Sequence, residues 1–122
     1  MSVSLPTNCT FIGELAFRYC SSLVSINLSN VSTIGRYAFY EDHALQEVII
    51  GDKVKKIRSH CFFNCYSLSS VTIGSSVNEI ETNAFFLCSK LKTVINKSSL
   101  NIQAGSTSYG YVGYYATSII QG

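Results

Sequence analysis

Apolar and polar positions along this chain recur every 22 or 23 residues. Segments starting at Ile12, Ile34, Ile57 and Ile80 superimpose: Ile, three variable residues, a small residue, Phe, and a Leu six positions further on. The small residues are Ala16, Ala38, Cys61 and Ala84, and the aromatics are Phe17, Phe39, Phe62 and Phe85. The leucines are Leu23, Leu45, Leu68 and Leu91, followed by Ile26, Val48, Val71 and Val94. A fixed period of this length is the mark of a solenoid, whose units bury their apolar sides against their neighbours. Within one unit, Val71-Thr72-Ile73 alternates and is ended by Gly74-Ser75-Ser76, which predicts a short strand and a turn. Val77 to Ile80 predicts a second short extended or turn segment. Ile80, Ala84, Phe85, Cys88 and Leu91 then fall at a spacing that suits about two helical or 3-10 turns with one buried stripe.

Stacked units place the strands in a short parallel sheet, with neighbours about 4.8 Å apart. Residues 1–105 form the array, with a half rung over 1–11 and full rungs from Ile12, Ile34, Ile57 and Ile80. Val3, Leu5 and Cys9 match Val48, Ile50 and Val54, so the sequence enters in mid-repeat, without a polar N-terminal cap, as a fragment would. Residues 106–122 read as a C-terminal cap. Tyr111/Val112, Tyr115/Ala116 and Ile119 recur at helical spacing, Ser106 or Ser108 is a candidate N-cap, and a last strand is expected at Ser118–Ile120. Two glycines weaken that helix. The tyrosines there either cover the core end or line a ligand site.

Composition narrows the function classes. The chain is 47% hydrophobic and 13% charged, with net charge +2, which fits one folded domain. That charge gives no argument for nucleic acid or an anionic membrane. The one basic cluster, Lys53, Lys55, Lys56 and Arg58, is confined to a single repeat and reads as a solvated edge. No apolar run is long enough for a membrane helix, and no secretory signal is visible.

The groups that carry chemistry are few. Cys20, Cys65 and Cys88 share one repeat column, while Cys61 and Cys9 fill the Ala and Val columns, so all five read as core thiols. The alternatives are a Cys65–Cys88 bridge between rungs or a zinc site, although a ladder spreads thiols along the axis instead of converging them. His60 with Cys61 or Cys65 can be drawn as a nucleophile pair, but sequence neighbours in such a rung point apart. Asp42 stands in the Cys column and is expected to bond backbone N–H groups of an adjoining loop or to reach solvent. No phosphate loop, metalloprotease helix or calcium loop is present. Asn-x-Ser/Thr sequons begin at Asn8, Asn27, Asn30 and Asn96.

Outward strand positions are the better binding candidates. Ser25, Glu47, Ser70 and Thr93 form one column, and Asn27, Ile49, Thr72 and Ile95 form the next. Outward Ile49 and Ile95 either mark a contact surface or reflect the strand preference of β-branched residues. Tyr40, Phe63 and Phe86 form an aromatic column beside the core, as packing or as a binding ladder.

Ile34-Gly35-Arg36-Tyr37-Ala38-Phe39, Ser70 to Val77 and Ala84 to Val94 resemble the BspA-type (Treponema pallidum-type) leucine-rich repeats. The similarity covers about residues 3–103, and the tail resembles the closing segment often seen after such arrays. Asp42 for Cys, Cys61 for Ala and Asn96 for the last apolar strand residue are departures. The resemblance implies a right-handed leucine-rich-repeat superhelix without catalysis or cofactor. It also implies a protein or glycoprotein partner, such as host extracellular matrix, and an extracellular or cell-surface setting. The alternative is a structural spacer, or a segment that pairs with a second copy through its open N-terminal rung.

Overall fold

The computed structural model describes residues 2, 3 and 5–122. Among the described residues there are ten short strands: β1 (Ser2–Val3), β2 (Phe11–Ile12), β3 (Ser25–Leu28), β4 (Thr33–Ile34), β5 (Glu47–Ile50), β6 (Lys56–Ile57), β7 (Ser70–Ile73), β8 (Glu79–Ile80), β9 (Thr93–Asn96) and β10 (Ser118–Gln121). A parallel six-stranded sheet runs β1-β3-β5-β7-β9-β10. Its register sets Ile26 beside Val48, Val48 beside Val71 and Val71 beside Val94, so each consensus residue lies on its repeat-mate. The short extended segments pair as β2-β4 and β6-β8 on another side of the coil. The fold is a parallel β-solenoid of leucine-rich-repeat type.

The core lies between these sides. Phe39, Phe62 and Phe85 are fully buried and their rings stack in register, 5.0 and 5.1 Å apart with planes within 11°. Ile34, Ile57, Leu45, Leu68 and Leu91 close around them. Burying one such aromatic is worth about 1.5–3 kcal/mol over leaving it in water.

The third side corrects the sequence expectation. The segments expected as short helices are chains of tight turns. Each rung holds two residues in the left-handed region, four apart: Leu15 and Tyr19, Tyr37 and Glu41, His60 and Asn64, Asn83 and Leu87. A left-handed residue breaks an α-helix, so no helical run forms. Alternate N–H groups turn along the solenoid axis instead. Phe17 donates to Ala38 O (2.7 Å), Phe39 to Cys61 O (2.9 Å) and Phe62 to Ala84 O (2.7 Å). Stacking thus satisfies backbone groups that a helix would have satisfied locally, and this sustains the cost of the left-handed residues.

The C-terminal helical cap is corrected for the same reason. Only a 3-10 turn over Tyr109–Tyr111 forms, with Gly110 at φ 62° and Tyr109 and Tyr111 also left-handed. Ser108 makes no side-chain cap; its N–H donates to Ser106 Oγ at 3.0 Å. The expected last strand is present as β10, in register with β9. Gly110 is required where it stands, because a Cβ there would strike Glu81 O and the Ala84 backbone.

Candidate functional site

The outward face of the six-stranded sheet holds the predicted binding residues. Strand alternation fixes them: Ile26, Val48, Val71 and Val94 point inward and are buried, so their neighbours point out. The register pairs Ser25 with Glu47, Glu47 with Ser70 and Ser70 with Thr93, which makes one column. It pairs Asn27 with Ile49, Ile49 with Thr72 and Thr72 with Ile95, which makes the second. All eight residues therefore share one face. Asn27 and Glu47 are exposed, whereas Ser25, Ile49, Ser70, Thr72, Thr93 and Ile95 are half-buried by lateral contact within the columns.

The structure adds what the sequence pattern missed. Ile120 on β10 pairs with Ile95 and is 48% exposed, which extends the apolar row to Ile49, Thr72, Ile95 and Ile120. Ile120 follows Ile95 by 25 residues, off the repeat period, so spacing alone did not place it there. From Asn27 to Ile120 the row crosses five strands, about 19 Å at ordinary strand spacing. At the strand ends a shallow groove runs beside it, lined by Ile49 and Thr72, the turn Gly51–Lys53, Ser29 and Lys97. Ser75 N–H donates to Asp52 Oδ1 at 2.9 Å, and this bond holds the Asp52 carboxyl below the usual range. The face thus combines an apolar row with a charged rim.

Other candidates separate. Cys61 is fully buried, while the half-buried His60 ring stacks on Tyr37 at 5.0 Å outside the core. His43 stacks on Tyr66 at 4.3 Å; its Nε2 lies 3.4 Å from Glu41 Oε1 without hydrogen-bond geometry. In the basic cluster, Lys56 and Arg58 pair with Glu79 and Glu81 of the next rung, at 3.5 and 2.9 Å. The column Tyr40, Phe63 and Phe86 continues to Tyr111, with centroids 4.8–5.8 Å apart. The Tyr40 and Phe63 planes lie within 13° of parallel, so each ring spends a face on its neighbour.

The cysteine column is corrected in part. All five thiols are free, but only Cys61, Cys65 and Cys88 are buried, because no rung covers Cys9 and Cys20. Burial pushes the Cys61 and Cys65 thiols well up. The S–H of Cys65 donates to Phe39 O at 3.2 Å and that of Cys88 to Phe62 O at 3.1 Å, each one rung back. Asp42 fills the same column, fully buried, and its Oδ1 accepts the Cys20 N–H at 2.7 Å. Its Oδ2 has no partner among the described residues, and burial raises its carboxyl to about 7 despite that bond. Asn96, a further departure, is buried but satisfied. Its Nδ2 donates to Leu100 O (2.8 Å), and its Oδ1 accepts the Ser98 N–H (3.0 Å).

Known proteins supply the context. The sequence pattern described as BspA type leucine rich repeat region matches residues 1–110 in six copies. Among solved structures, a leucine rich cell surface protein from Faecalibacterium prausnitzii A2-165 shares the fold, with TM-score 0.84 at 24% identity. That match covers 98% of this chain, which spans only 31% of that protein. A T. pallidum leucine rich repeat protein aligns with TM-score 0.65 at 25% identity, covering 97% of this chain and 72% of that one. No curated protein matches the sequence. Among the described residues, no helix is long and apolar enough to cross a membrane.

Proposed function

The chain belongs to the BspA-type leucine-rich repeat family, and from that premise we propose that it is a non-catalytic protein-binding module of a cell-surface or secreted adhesion protein. The observation that carries this reading is the outward row Ile49, Thr72, Ile95 and Ile120, held in register on adjacent strands. These side chains serve no core. They offer a flat strip of methyl groups, with Asp52, Lys53 and Lys97 at its rim. An apolar centre with a polar border suits a macromolecular partner, where the centre supplies desolvation and the rim sets orientation. The partner class is a protein or glycoprotein with a complementary apolar strip, with extracellular-matrix proteins as first candidates. The name of the F. prausnitzii neighbour, a cell surface protein, supports the setting.

The test is binding of the immobilised protein to a panel of extracellular-matrix and cell-surface glycoproteins. The double variant Ile49→Asp/Ile95→Asp serves as control, with its melting curve checked alongside. Saturable binding that the folded variant loses is expected. Binding that the folded variant retains removes the sheet face from the reading. Absence of binding across the panel leaves the spacer function as the better account.

A further inference from the structure

The ladder of short extended segments breaks in the middle. β2 pairs with β4 and β6 with β8, but β4 and β6 are unpaired, although their Cα atoms come within 8 Å. The intact steps show what the broken one lacks. Thr33 and Gly35 give their N–H groups to Thr10 O and Ile12 O, and Asn78 and Glu81 give theirs to Lys55 O and Ile57 O. The N–H groups of Lys55, Lys56 and Arg58 hold the equivalent places and donate to no described residue. Opposite them, the carbonyls of Ser32 and Ile34 accept from none.

The break opens a groove of about 390 Å³. Residues 32–34 form one wall, and Lys53, Lys55, Lys56 and Arg58 form the other. No acidic or aromatic side chain lines it. Glu79 and Glu81 hold Lys56 and Arg58 from the next rung, on the side away from the break. Lys53 and Lys55 are exposed and pair with no acidic side chain among the described residues. Unpaired backbone donors and uncommitted cations thus share one edge, and unpaired acceptors face them.

We propose that this groove binds a sulfated polysaccharide chain. A sulfate ester presents three acceptor oxygens, as a phosphate does, and these suit the open N–H groups and the ammonium groups of Lys53 and Lys55. Sugar hydroxyls donate, and these suit the carbonyls of Ser32 and Ile34. A peptide strand does not fit between the two segments. It needs about 9.6 Å, twice the ordinary strand spacing, where their Cα atoms come within 8 Å. A nucleic acid finds no ring to stack on and cations from one rung only. A membrane finds no exposed apolar side chain, since Ile34 is buried. Only Lys53 also borders the sheet-face groove, and the polysaccharide site does not depend on that face.

The experiment titrates the isotope-labelled protein with a heparin tetrasaccharide at physiological ionic strength and follows backbone amide shifts by NMR. The amide signals of Lys55, Lys56 and Arg58 are expected to move together, while those of the six-stranded sheet stay. Desulfated heparin is expected to move none of them. Lys55→Gln/Lys56→Gln leaves Lys53 in place and removes one exposed ion pair, which contributes little to stability. It is expected to weaken binding by about tenfold or more with an unchanged melting curve. Arg18→Gln/Lys90→Gln makes the same charge change at exposed positions elsewhere and is expected to hold affinity within about twofold. The proposal is wrong if the tetrasaccharide moves none of the three amides, or if the first variant binds as the parent does. Equal loss in the second variant overturns it too. So does equal binding of inorganic sulfate, single-stranded DNA or phosphatidylserine vesicles, because the groove then takes any anion.

Discussion

Asp42→Cys should stabilise this protein at neutral and alkaline pH. The carboxyl lies fully buried in a column that elsewhere holds a thiol, with one oxygen bonded to the Cys20 N–H and the other unpartnered. Burial raises its pKa from 3.8 to about 7 in the folded state. Between those values the folded chain holds a proton that the unfolded chain has released. The stability contributed by Asp42 is therefore full below pH 3.8 and is lost as pH rises toward 7. One unit corresponds to about 1.4 kcal/mol, which sets an upper limit of about 4 kcal/mol. The neighbouring Cys20 is only half-buried, which lowers that limit, and loss of the Cys20 bond in the variant subtracts about 1 kcal/mol. A net gain of about 2 kcal/mol at pH 8 is expected. The new thiol takes the place from which Cys65 and Cys88 donate to a carbonyl one rung back. Urea unfolding of parent and variant at pH 4.5 and pH 8, with reductant present, measures the difference, in which other titrating groups cancel. A variant less stable than the parent at pH 8, or a difference that does not grow from pH 4.5 to 8, refutes the reasoning.

Phe62→Ala removes the middle ring of the core stack and should cost about 3–5 kcal/mol, read as a fall in the urea midpoint. Gly74→Ala should destabilise by about 1–3 kcal/mol in the same assay, because the added Cβ meets the Gly51 backbone of the preceding rung. Asn96→Ala leaves Leu100 O and the Ser98 N–H without their partner and should cost about 1–3 kcal/mol, with faster amide exchange over residues 97–103. Reductant should leave the parent's melting temperature unchanged, since all five thiols are free; a large fall would expose a disulfide the fold depends on.

Periodicity carried the repeat, the strands, the inward columns and the outward columns into the sequence itself. A strand has a side-chain period of two and a parallel register of zero, so the row Asn27, Ile49, Thr72 and Ile95 is legible in the sequence. The apolar spacing that predicts helical turns also suits a chain of tight turns. The choice between the two lies in backbone bonds made across rungs, such as Phe39 N–H to Cys61 O, which no single rung contains. The same holds for the cap, where Gly110 fits against Ala84 through contact and not through any period.

Sequence by itself determined which residues face inward, because burial of apolar surface repeats with the chain. Tertiary structure alone decided which of them are covered. Phe17 and Phe39 occupy one sequence column, yet only Phe39 has a neighbour on both sides. Tertiary structure likewise placed Ile120 beside Ile95 and left Asp42 with an unpartnered oxygen. Each of these depends on the rung above or below, and in a solenoid that neighbour supplies both the packing and the hydrogen bonds.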